Sequence, residues 1–87
     1  MIKSAEAVIA AYNRLAIAMP VEAWSGKFAH PRMERRGPDG EVHLQYHVWR
    51  ADIRNYVPEH LFISGNKVAG ELQRLRGRAQ RTGLQVA

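Results

Sequence analysis

Between residues 2 and 19 the apolar side chains recur every three to four positions. At about 100° per residue, Ile2, Ala5, Val8, Ile9, Tyr12, Leu15, Ala16 and Met19 fall within an arc of about 140°. Lys3, Glu6, Asn13 and Arg14 occupy the other side, and the abundant alanines add helix propensity. The spacing predicts an amphipathic helix that stops at Met19, because a residue followed by proline avoids the helical region. Pro20 is placed to open one short turn through Trp24.

From residue 42 the period changes to two. Val42, Leu44, Tyr46 and Val48 share one face, and His43, Gln45, His47 and Trp49 share the other, the signature of a half-buried strand. Gly37-Pro38-Asp39-Gly40 supplies the turn before it, so a partner strand is expected within residues 27–36, with Pro31 at an edge or a bulge. Residues 51–65 read two ways. Leu61-Phe62-Ile63 suits a short buried strand; alternatively Pro58 opens a helix that runs into the last one, since positions 61, 65, 68, 72, 75 and 79 keep a heptad spacing. Gly65-Asn66 favours a break, with Ser64 or Asn66 capping the last helix. That final helix, 67–82, carries a seam of Val68, Leu72, Leu75 and Ala79 about 60° wide, and Gly83 is its natural stop. The fold class expected is α+β, a single domain over residues 1–87: an N-terminal helix, an antiparallel hairpin or three-stranded sheet, and a C-terminal helix.

Composition narrows the chemistry. Eighty-seven residues without cysteine build a modest core held by packing alone, or by packing plus self-association. The missing thiols remove disulfides, thiolate catalysis and cysteine zinc sites, and fit a cytoplasmic protein. The most apolar stretch is broken by Glu6, Asn13 and Arg14, which argues against a membrane span or a signal peptide. Thirteen basic residues, ten of them arginine, face eight acidic ones, and the resulting net charge of +5 raises the prior for an anionic partner, a nucleic acid or an acidic protein surface.

Much of that charge sits in the last helix. Lys67, Glu71, Arg74, Arg78 and Arg81 fall within about 80° of one another beside the apolar seam, a plausible phosphate track exposed to water. The same arginines also complement a helix C-terminus, and Glu71 can pair with Arg74 or Lys67. Gly70 and Gly77 either admit a close approach by a partner or the first helix, or mark a loosely optimised helix. On the hairpin, His43, His47 and Trp49 form a candidate stacking or protein-contact platform unless Trp24 or the loop after residue 50 covers the indole; Arg32, Arg35, Arg36 and Arg50 surround it. His43 and His47 lie about 13 Å apart along a strand, too far to share an ion, and neither a metal nor a cofactor is expected. Phosphate loops, serine elbows and paired carboxylates are missing, so no enzyme is expected, although His30, His43 or His47 could serve a small ribonuclease as general base.

Helix, antiparallel sheet, helix is also the order of the double-stranded RNA-binding domain, and the chain resembles that family at two places. Gly37-Pro38 matches its hairpin turn, and Ser64 to Lys67 its basic helix start. The family's lysine pair is reduced to Lys67, and no histidine directly follows Gly37-Pro38. The small mRNA-cleaving toxins of bacterial toxin–antitoxin pairs look similar in topology, without their glycine-serine-histidine signature. Both likenesses are of topology. The expected function is non-enzymatic binding of nucleic acid or a nucleoprotein through Lys67, Arg74, Arg78 and Arg81, helped by Arg35 and Arg36. The alternative is a protein-binding inhibitor or adaptor of the phage or mobile-element kind, such as an anti-CRISPR protein, using the basic stripe and the Trp49 face. A homodimer through Val68, Leu72 and Leu75 is compatible with either.

Overall fold

A computed structural model describes residues 5–19, 24, 27–36 and 41–81, with Arg36 described by its backbone alone. The elements run α1 (Ala5–Ala18), β1 (Ala29–Arg36), β2 (Glu41–Arg50), β3 (Asn55–Ile63), a 3₁₀ turn (Gly65–Lys67) and α2 (Val68–Arg81). This is the α+β class, with three antiparallel strands in the order β1-β2-β3. No helix among the described residues is long and apolar enough to cross a membrane.

The arc on α1 is the one its periodicity predicts. Val8, Ile9, Tyr12, Ala16 and Met19 are buried, while Ile17, outside the arc, is 86% exposed. They pack with Val68, Leu72, Leu75 and Ala79 of α2 and with Met33, Val42 and Leu44 of the sheet, so both helices lie on one face of it. Each fully buried aliphatic side chain stabilises this core by about 1.5–3 kcal/mol. The α2 seam is spent here: Val68, Leu72 and Leu75 are only 1%, 4% and 3% exposed, which removes them as a homodimer contact.

The polar side of α1 is not solvent-facing throughout. Asn13 Nδ2 donates to the Met33 carbonyl (2.9 Å), and the Met33 N–H donates to Asn13 Oδ1 (2.8 Å). One side-chain amide thus satisfies both backbone groups of a residue on the outer edge of β1. Arg35 donates to Glu6, seven residues earlier on the same stripe of α1.

β1 carries the bulge that Pro31 suggested. Ala29 pairs with His47 and Arg32 with Gln45, leaving His30 and Pro31 opposite Tyr46 alone. His30, the first of the two bulged residues, takes the left-handed conformation (φ 50°). Arg36 closes against Glu41, while the Gly37–Gly40 turn, the Pro20 turn and the Gly83 stop lie outside the described residues.

β3 contains the expected Leu61-Phe62-Ile63 strand and completes the three-stranded sheet, but it is longer and less buried than expected. It runs nine residues, and Leu61 and Phe62 are 40% and 54% exposed rather than buried. Pro58 sits inside this strand, opposite His47, instead of opening a helix. An edge strand tolerates proline because its outer side makes no ladder bonds. Ser64 precedes the 3₁₀ turn in extended conformation but makes no side-chain cap; its carbonyl accepts the Lys67 N–H at 2.9 Å.

Candidate nucleic-acid interface

The helices do not cover the sheet evenly. α1 packs on β1 and α2 packs on α1, whereas neither closes over β3. Leu61, paired with Leu44, carries the core face out beyond α2. A groove of about 710 Å³ results. Its floor is Tyr12, Phe28, Leu44, Leu61 and Leu75, and its α2 wall presents Glu71, Arg74, Arg78 and Arg81. The seam faces the core and the basic row flanks it, as the wheel positions dictate.

Each basic side chain on that wall has a distinct setting. Arg74 is 81% exposed and donates to Glu71 Oε1 at 3.0 Å. The Arg78 guanidinium lies 5.8 Å from the centroid of Phe28, inside cation–π range, and Phe28 in turn leans on Tyr46 (5.0 Å). Arg81 reaches back along the helix, one guanidinium nitrogen standing 3.6 Å from where a Cβ on Gly77 would be. Lys67, at the end of the 3₁₀ turn before α2, does not line the groove. At its base, burial raises the Tyr12 phenol above its ordinary range; Glu71 adds to the rise and Arg78 opposes it. The hydroxyl therefore keeps its proton and can both donate and accept.

The remaining candidates fall elsewhere. Arg35 is held by Glu6, and Arg50 forms a two-bond pair with Asp52 (3.0 and 2.8 Å) that lowers the Asp52 pKa. His43, His47 and Trp49 belong to the opposite sheet face. There His43, only 6% exposed, is no open platform: it stacks on Phe62 (4.7 Å, 18°), and its Nε2 is 2.9 Å from His60 Nδ1. Its Nδ1, like that of His47, is buried without a hydrogen-bond partner. His47 meets His30 edge-on at 6.0 Å. Trp49 stays 44% exposed against Tyr56, and Trp24 lies by His30 instead of covering it.

All four histidines therefore share this face, although along the sequence they look scattered. Among the described residues, no three potential ligands gather closely enough for a metal ion. Sequence reasoning missed His60 and Phe62 as neighbours of His43. The signal was present, since Tyr56, Pro58, His60 and Phe62 alternate, but it is readable only once β3 is known to be a full-length strand. The Phe28–Leu61 floor carried no comparable signal, because it depends on where α2 settles. Comparison with protein-family models, with curated proteins and with solved structures finds no match.

Proposed function

We propose that this chain is a non-enzymatic nucleic-acid-binding module that engages phosphates through the α2 wall of the groove. The observation that carries this reading is the grouping of Arg74, Arg78 and Arg81 along one wall with Glu71 as the lone carboxylate among the described lining residues. Arginine forks suit phosphate oxygens, and binding built on them weakens steeply with salt. Lys67 adds charge at the start of α2, whereas Arg35, paired with Glu6, and Arg74, paired with Glu71, each bring a carboxylate that a phosphate must displace.

Fluorescence anisotropy with labelled RNA and DNA, single-stranded and duplex, tests it at about 50 and 200 mM salt. Replacing Arg81 by Gln should flatten the slope of log K against log salt by about one unit. Phe62→Ser, on the opposite face, should leave the affinity unchanged. No binding at the lower salt excludes the proposal.

A second reading has an observation of its own. Phe62 and Trp49 are exposed towards opposite ends of the sheet face away from the helices, and large exposed apolar side chains on one face suit a protein partner. Under that reading the chain is an inhibitor or adaptor. Co-purification of one stoichiometric protein, lost in Phe62→Ser and free of nucleic acid, would favour it.

A further inference from the structure

Resting on the nucleic-acid reading, we infer that the groove between α2 and β3 receives an unstacked nucleobase, so that the chain recognises unpaired rather than duplexed nucleotides. A row of arginines alone would be indifferent to strand state. What distinguishes this wall is its floor. Beside the guanidinium groups, half-buried Phe28 and Leu61, which leaves 40% of itself in water, present an apolar surface over the buried Tyr12, Leu44 and Leu75. A ligand that gains from both surfaces must join an anion to a body that prefers to leave water. In a duplex the flat base faces are stacked on one another and only backbone and groove edges are offered; in a single strand, bulge or loop they are available. The groove volume, about 710 Å³, lies within the range of small-ligand sites.

Glu71 selects among such ligands. A carboxylate within an arginine row repels phosphate and gives nothing to an acyl chain, yet it accepts well from the ring N–H or exocyclic amine of a base. Arg74 occupies its Oε1 at 3.0 Å, which leaves Oε2 to accept. Arg78, poised 5.8 Å from the Phe28 centroid, can turn its planar fork towards a phosphate or lie flat against an entering base.

The test compares four labelled oligonucleotides of about twelve units at one salt concentration: single-stranded RNA, single-stranded DNA, duplex, and a single-stranded abasic backbone. The base-bearing single strands should bind about tenfold tighter than both the duplex and the abasic strand. Preference for one sugar over the other identifies the natural source, and either preference meets the prediction. Leu61→Ser should close most of that gap while leaving the salt slope unchanged, because the floor holds no charge. The abasic comparison needs no substitution, so it decides the matter even if that variant folds poorly. Equal binding of all four overturns the base site while the phosphate-tracking function stands. Binding of none at about 50 mM salt removes the function and this inference together. Capture of poly-glutamate or of anionic vesicles in place of oligonucleotides, sensitive to Leu61→Ser, also overturns it.

Discussion

Asn13 shows how much a single side chain can decide. Its amide presents a donor and an acceptor side by side, the same pair that a neighbouring strand would present to Met33. Replacing it by Ala leaves the Met33 groups to whatever water reaches them and should cost about 1–2 kcal/mol in denaturant unfolding. Asn13→Asp should cost more, although it is nearly isosteric. It loses the donor and sets a carboxylate oxygen against the Met33 carbonyl. A smaller loss for Asp than for Ala would show that the pairing contributes little. On a helical wheel Asn13 reads as solvent-facing, and nothing local marks it otherwise. Its role arises from a strand twenty residues away in sequence, beyond the reach of any helical period.

The elements divide by how much of their information is local. α1 and β2 were readable because each follows one period without interruption, and the α2 seam was readable for the same reason. β3 was readable only at its end: Leu61-Phe62-Ile63 marked a strand, while Pro58 and a heptad running from Leu61 to Ala79 obscured its length. Long-range pairing with β2 overrides both signals. The two glycines of α2 can now be assigned. Among the described residues, a Cβ at Gly70 would meet nothing within 4 Å, and at Gly77 only the guanidinium tip of Arg81 at 3.6 Å. Neither admits the close approach of α1. Gly70→Ala and Gly77→Ala should therefore each raise stability by about 0.5–1 kcal/mol in thermal or urea unfolding. Their effects on oligonucleotide binding should differ. Gly77 lines the groove and Gly70 does not, so only Gly77→Ala should weaken it.

In the whole molecule, two layers leave two unlike surfaces on opposite sides of a body 15 Å across its thinnest axis. The sequence foretold the charges of one and the rings of the other, but not that they stand back to back or that the first encloses a groove. Tyr12 links α1, α2 and the sheet beneath that groove, and it ties global stability to alkaline pH. Its folded-state pKa is raised, chiefly by burial. The protonated phenol therefore favours the fold fully below the ordinary pKa near 10, and that contribution is lost as pH climbs towards the folded value. Stability should fall above about pH 10 by up to ~1.4 kcal/mol per pH unit from this group. Tyr12→Phe should flatten the fall, and an unchanged slope between the two proteins would contradict the assignment.

The Asn13 clasp has a consequence for life in a crowded solution. Any open sheet invites identical neighbours to zip on, strand by strand, into fibres. On one margin of this sheet the clasp fills a docking position that an incoming strand would need, and on the other Pro58 withholds an N–H. Both flanks are thus blunted against polymerisation without a lysine on either strand, leaving the arginines of the last helix free of that protective duty.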